Sequence, residues 1–156
     1  MWNALYNVAV ALTLRDFQPE DFESLWRMDQ ECFPQGISYS RQELKAFMRY
    51  RGSFTVVATE DQEIRGFIIA KSGPIGHIIT IDVGPTARRS GVGSFLLKGA
   101  EERLRAGGCR ALGLETAVDN IAALAFYKRH GYAVVRTWPR YYSNGVDALV
   151  LKKELR

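Results

Sequence analysis

The run Arg88-Arg89-Ser90-Gly91-Val92-Gly93-Ser94 stands between an apolar, β-type stretch ending at Val83 and a helical pattern that turns Leu96, Leu97, Ala100 and Leu104 to one side. At such a junction the first backbone amides of the helix have no helical partner and point at whatever fills the space in front of them. Gly91 and Gly93 leave the main chain bare there, so two phosphate groups can approach it closely, and the helix dipole favours their charge. Arg88 and Arg89 add ionic contacts. A Gly-x-Gly pair is also common in plain turns. A P-loop is excluded, because Lys and a hydroxyl residue should follow its last glycine and this chain has Ser94 and Phe95. A dinucleotide fingerprint lacks its third glycine, replaced by Leu96, although Glu115 lies near the distance at which an acid holds a ribose.

Other side chains that can do chemistry are few. Glu115 alternates with Leu112, Leu114 and Thr116, which take one face of a strand and leave the carboxylate on the other. Tyr127 carries a phenol on a short helix, where it is either a proton donor or a core aromatic at helical spacing from Leu124. Asn120 can cap that helix. His77, near the start of the central strand and away from the end where chemistry is expected, and His130, in a helix's last turn where a cation suits the dipole, both read as structural. Cys109 follows a Gly107-Gly108 stop and reads as a small core residue. Two readings are open for Tyr141 and Tyr142: plain hairpin aromatics, or a wall for an acceptor peptide.

The elements that must position these residues follow from periodicity. Val8, Val10, Leu12 and Leu14 alternate as a strand. Pro19-Glu20-Asp21 opens a helix whose apolar stripe is Phe22, Leu25, Trp26, Cys32 and Phe33, closed by Pro34. Ser40 and Glu43 form a capping box ahead of Leu44, Phe47 and Met48. Strands are expected over 55–59, 64–70 and 77–83 as an antiparallel meander. A helix follows the glycine loop and stops at Gly107-Gly108, then come a strand over 111–116, a helix over 121–130, and a closing hairpin of 132–138 and 147–152 around Asn144-Gly145. The strand-helix-strand unit after the meander is a right-handed crossover, which makes its two strands parallel inside an otherwise antiparallel sheet.

With Arg88, Gly91 and Gly93 at this spacing after the strand Thr80 to Val83, the chain resembles the GNAT (Gcn5-related N-acetyltransferase) superfamily. Leu112 to Thr116, Asn120, Ala125-Phe126-Tyr127 and Gly131-Tyr132 are similar to the second half of that family's signature. Within it, Glu31-Cys32-Phe33-Pro34, Tyr39-Ser40, Leu114-Glu115, Arg140-Tyr141-Tyr142, Gly145, Asp147 and Ala148 most resemble the ribosomal-protein alanine N-acetyltransferase (RimI) group. The chain departs from that group at Gln35-Gly36-Ile37, where the group often has a shorter turn with a Trp. The resemblance implies a mixed α+β fold, a mostly antiparallel sheet flanked by helices with the parallel pair splayed around the cofactor. It implies acetyl-CoA as co-substrate. The backbone of Ile81, Asp82 and Val83 would hold the pantetheine arm and the acetyl carbonyl, Arg88, Arg89, Ser90, Gly91, Val92, Gly93 and Ser94 the pyrophosphate, and Asn120 the pantetheine. Glu115 would be the general base, Tyr127 the acid that protonates the leaving thiolate, and Phe33, Tyr39, Tyr141 and Tyr142 would border the acceptor.

The bulk properties suit this. A chain of 156 residues, 47% hydrophobic and 24% charged, is expected to form a single domain spanning 1–156. Cys32 and Cys109 match no metal spacing, and no metal is expected. A cytoplasmic enzyme follows, with no membrane or direct nucleic-acid partner, since a net charge of +4 is mild. The acceptor is expected to be a protein N-terminus or another small amine. An α-amine, with a pKa of about 7.7 to 8.0, arrives partly neutral, whereas a lysine at about 10.4 does not. The competing functions are acetylation of a small molecule or lysine, and a non-catalytic CoA-binding module, against which Glu115 and Tyr127 together argue.

Overall fold

The alternation of side chains along the strands β2 (Ser53–Glu60) and β3 (Glu63–Lys71) divides the molecule into layers. Val56, Ala58, Ile68 and Ala70 face one way, Val57, Phe67 and Ile69 the other, and all are buried. A strand buried on both faces needs cover on both sides. The computed structural model, which describes residues 12–88 and 90–155, shows how it is supplied.

The sheet has the order β1-β2-β3-β4-β5-β7-β6. Its strand β1 (Leu12–Asp16) pairs antiparallel with β2, and β4 (Ile75–Val83) completes the expected meander. Val8 and Val10 of the expected first strand lie outside the described residues. The helices α1 (Phe22–Cys32), behind a short turn at Pro19–Asp21, and α2 (Arg41–Arg49) cover one face through Phe22, Leu25 and Leu44. The capping box is present, with Glu43 N–H donating to Ser40 Oγ at 3.1 Å and Ser40 N–H to Glu43 Oε1 at 2.9 Å.

The other face is covered by α3 (Val92–Ala106) and α4 (Ile121–Arg129). Leu96, Leu97, Ala100 and Leu104 are buried as their spacing predicts, each contributing on the order of 2 kcal/mol for a leucine. Gly66 lets α3 sit close: a Cβ there would lie 2.7 Å from the Asp82 carbonyl and 3.1 Å from Val92 and Leu96. After α3 the chain enters β5 (Ala111–Ala117), parallel to β4, and then α4, β6 (Ala133–Trp138) and β7 (Ala148–Glu154). The final hairpin folds back so that β7, not β6, pairs with β5, and β6 becomes the edge.

Candidate active site

The parallel pair β4 and β5 holds together for only three register positions, Ile75↔Ala111, Gly76↔Leu112 and His77↔Gly113. Past these the strands part. β4 continues to pair with β3, and β5 with β7, so the facing edges of both are left open. The space between them is a cleft of about 360 Å³ whose walls include Ile78 to Ile81, Leu114 to Ala117, Asn120 and Tyr127.

A β-bulge shapes the β4 wall. Ile69 pairs with Thr80 and Ala70 with Ile78, so Ile79 is an extra residue on β4. A bulge shifts the alternation by one and turns every later side chain to the opposite face. Ile78 and Ile81 therefore both join the α3 side of the core, while Ile79 packs toward α1 and α2. Tyr39 Oη donates to the Ile79 carbonyl at 3.4 Å.

Glu115 reaches the cleft with its side chain 15% exposed, and His77 Nε2 lies 2.8 and 3.1 Å from its two carboxylate oxygens. The expectation that His77 stands apart at the start of its strand is corrected here. Parallel register sets His77 opposite Gly113, two residues before Glu115 on the same strand face, and the ring spans that step. Tyr141 faces the same carboxylate, and burial, with the carboxylate's charge added, raises the phenol's pKa. The Tyr141 ring packs at 5.0 Å from that of Tyr142, which does line the cleft.

Tyr127 is buried, and burial raises its pKa above the ordinary value, so the phenol keeps its proton throughout the neutral range. Its hydroxyl has no hydrogen-bond partner among the described residues, and the side chain borders the cleft. Asn120 Oδ1 caps α4 by accepting Ala123 N–H at 3.1 Å, which leaves its amide nitrogen free to donate. The cap and the binding reading thus coexist.

The glycine loop leads into α3 as its spacing implies. Gly91 is the N-cap with φ +86, a left-handed conformation that favours glycine, and α3 makes its first backbone bond from Phe95 N–H to the Gly91 carbonyl at 3.0 Å. The amides of Val92, Gly93 and Ser94 precede that bond and have no helical acceptor. At Gly93 a Cβ would sit 3.3 Å from the Phe126 ring. No protein atom lies within 4 Å of a Cβ at Gly91, so within the protein it is the backbone conformation that calls for glycine there. Arg88 turns back to Val83, Nε donating to the carbonyl at 3.2 Å, and Ser90 Oγ donates to the Ala87 carbonyl. Ser94 Oγ lies 2.8 Å from His130 Nε2. Val92 has its side chain in the core, so only its backbone faces the loop. Arg89 lies outside the described residues.

The side of the cleft where the acceptor is expected is walled by Phe33, Pro34, Ile37, Tyr39 and Tyr142. The departing loop Gln35-Gly36-Ile37 meets the hairpin turn directly: Ser143 Oγ donates to the Gly36 carbonyl at 2.9 Å, and Gly36, at φ +92, abuts Asn144. Cys32 also lines the cleft, its thiol donating to the Val83 carbonyl at 3.3 Å and pushed up to about 11, chiefly by burial. That suits a packing residue, not a nucleophile. Of the predicted site residues, Ile81, Glu115, Asn120, Tyr127, Phe33, Tyr39 and Tyr142 share the cleft, while the Asp82 side chain is fully buried on the α1 side. Val83, Arg88 and residues 90–94 are not among those lining it, nor is Tyr141, which stands 46% exposed.

A model of the acetyltransferase (GNAT) family matches residues 22–132. The chain belongs to this family and is an acetyltransferase. An uncharacterized N-acetyltransferase of Methanocaldococcus jannaschii is 29% identical over 145 residues, 92% of each chain. Human N-alpha-acetyltransferase 30 is 41% identical over 81 residues, 52% of this chain but only 22% of that protein. Among solved structures, Ard1 from Thermoplasma volcanium superposes with a TM-score of 0.87 at 28% identity, covering 94% of this chain and 99% of its own. The ribosomal-protein-S18-alanine N-acetyltransferase of Escherichia coli has a TM-score of 0.83 at 21% identity, over 93% of this chain and 94% of its own, a likeness of fold alone. No helix among the described residues is long and apolar enough to cross a membrane.

Proposed function

We propose that this GNAT acetyltransferase moves the acetyl group of acetyl-CoA directly to a primary amine, the N-terminal α-amine of a protein being its acceptor. The observation that carries the reading is the cleft between the diverging strands. It brings Glu115, on β5, and Tyr127, on α4, to one space beside the open edge of β4. Bound acetyl-CoA supplies an acetyl thioester that is already reactive. The free amides at the start of α3 and the bare backbone at Gly93 fit its pyrophosphate, the open edge of β4 from Ile79 to Val83 fits its pantetheine amides, and Asn120 has a donor to spare.

What this chain must add is delivery, a base and an acid. Glu115, directly or through a water, takes the proton of the incoming amine, and His77 fixes the carboxylate at 2.8 Å. Tyr127 holds its proton until the departing sulfur needs one. Backbone amides of Ile81 to Val83 orient the carbonyl. The N-alpha-acetyltransferase relatives support an α-amine acceptor, and the RimI-like residues within 31–40 and 114–148 support a small N-terminal residue. Peptides bearing free small N-terminal residues, incubated with acetyl-CoA and read by mass spectrometry, should be labelled on the α-amine. Blocking that amine should abolish product even when lysines are present. Label confined to lysine side chains, or to a small polyamine and no peptide, would remove the N-terminal assignment.

A further inference from the structure

Two carboxylates that neither the cleft nor the mechanism uses face each other beneath the active site. Asp29 on α1 and Asp82 on β4 are both fully buried, 0% exposed. Two of their four oxygens show how each is held. Asp82 Oδ1 accepts the Thr80 hydroxyl at 2.6 Å, and Asp29 Oδ2 accepts the Tyr39 backbone N–H at 2.7 Å. The remaining oxygens, Asp29 Oδ1 and Asp82 Oδ2, have no donor among the described residues, although the two carboxyl groups lie within hydrogen-bonding reach of each other. Two buried carboxyl groups within reach of each other, each with an oxygen that no donor meets, are satisfied by a hydrogen held between them.

We propose that Asp29 and Asp82 share one proton, and that this bond fastens the acceptor-side segment 33–40 to the cofactor strand, making Asp29 a positioning residue for acetyl transfer. The inference rests on the acetyltransferase reading of the cleft, and it follows from where the pair sits. Asp29 holds the Tyr39 amide. The Tyr39 carbonyl in turn accepts Trp26 Nε1–H at 3.1 Å and the Gln30 side-chain amide at 2.7 Å, and the Tyr39 ring wall faces the acceptor. Asp82 belongs to the three residues whose backbone faces the cofactor arm. It reaches Asp29 only because the bulge at Ile79 turns it away from the α3 side. The pair therefore joins the walls of both substrates, beside the bonds of the Tyr39 hydroxyl to the Ile79 carbonyl and of the Cys32 thiol to the Val83 carbonyl.

The groups around it do not neutralise a second charge. Arg88 is the cation that favours ionised Asp82; Glu43 opposes ionised Asp29, and Cys32, Tyr39 and Tyr127 are neutral neighbours of the pair. Burial and mutual repulsion both hold the shared proton above the ordinary carboxylate range, and the titration belongs to the pair rather than to either acid. The folded state thus binds a proton that the unfolded chain has already released above about pH 4. Its stabilising effect is complete below that pH and is lost as pH rises through the pair's own raised value.

Asp29→Asn tests this without removing the fastening. The amide oxygen can accept Tyr39 N–H, the amide nitrogen can donate permanently to Asp82 Oδ2, and the net charge of the pair stays at one carboxylate. Melting temperature measured from pH 5 to pH 9 should fall with pH in the wild type relative to Asp29→Asn, by about 3 °C per pH unit where the difference is a full proton. The acetyl-transfer pH profile should then lose part of its alkaline fall in Asp29→Asn, and Asp29→Ala should raise the acceptor KM by about tenfold or more at neutral pH, with Asp29→Asn restoring it. Parallel melting profiles for the wild type and Asp29→Asn would overturn the shared proton, whatever reaction the enzyme performs. A KM effect of equal size in Asn and Ala variants would overturn the positioning role. Failure of the wild type itself to acetylate peptide N-termini, with the melting difference intact, would count against the proposed reading of the cleft instead.

Discussion

In the proposed mechanism Glu115 and Tyr127 divide base and acid work by environment. Glu115 sits against a histidine and a phenol at the mouth of the cleft, and Tyr127 is enclosed by its own core, with rings of Phe126 and Tyr132 at 5.3 and 5.7 Å. Glu115→Gln should slow turnover about 100-fold at neutral pH with acetyl-CoA affinity unchanged, and raising pH should recover part of the loss because more amine arrives neutral. Normal turnover in that variant would return Glu115 to a surface carboxylate. The burial that lifts Tyr127 keeps it protonated well past neutral pH, so the defect of Tyr127→Phe should be flat between pH 6 and 9 and shrink with an acyl donor whose thiol leaves more readily. A defect that grows or fades with pH in that window would put the proton elsewhere. At this scale residue types were legible and partners were not. Glu115 is visible from the alternation of Leu112, Leu114 and Thr116, but its contact with His77 depends on a parallel register between strands separated by a helix. No local pattern encodes that register.

The helix α3 and its loop were readable because their signals are local. Gly91 at the cap, Gly107-Gly108 at the stop and the inward leucines each act within a few residues of their own position. The same holds for the capping box of α2, and Ser40→Ala should lower the melting temperature by about 3 °C, the effect of losing roughly 1 kcal/mol of cap. The two loop glycines should separate in their effects. Gly91→Ala puts a Cβ in open space but at φ +86, so its cost is backbone strain, seen as lower stability with or without ligand. Gly93→Val presses a branched side chain toward Phe126, 3.3 Å from the first added carbon, and displaces the start of α3 from α4. Its acetyl-CoA Kd should rise more than tenfold in calorimetric titration, with a smaller change for Gly91→Ala. The bulge at Ile79 left no such trace. The run Ile78-Ile79-Thr80-Ile81 reads as an unbroken strand, because the extra residue is defined by the pairing of Ile69 and Ala70 on the neighbour.

Across the whole molecule, the sheet is two blocks joined thinly. β1 to β4 form one antiparallel unit and β5 to β7 another, and the seam between them is the three-position parallel pair with the core beneath α3 and α4. The meander, the crossover and the hairpin could each be read from the sequence. That β7 rather than β6 lies beside β5 could not, since both strands of a hairpin alternate alike and only the docked arrangement decides which becomes the edge. The seam is where the proposed co-substrate lies, so acetyl-CoA should act as a strut between blocks. At one hundred times its Kd the ligand adds about 2.7 kcal/mol, which for a chain of this length raises the melting temperature by roughly 5 to 10 °C, and NAD should give no shift. Hydrogen exchange tells a strut from a phosphate clip. A molecule seated along the open strand edges slows amides of 79–83 and 114–117 as well as those of 92–94, because opening either block then requires releasing the ligand. Protection confined to 91–94 would mean that only the glycine loop is engaged and would leave the divergent strands without the role assigned to them.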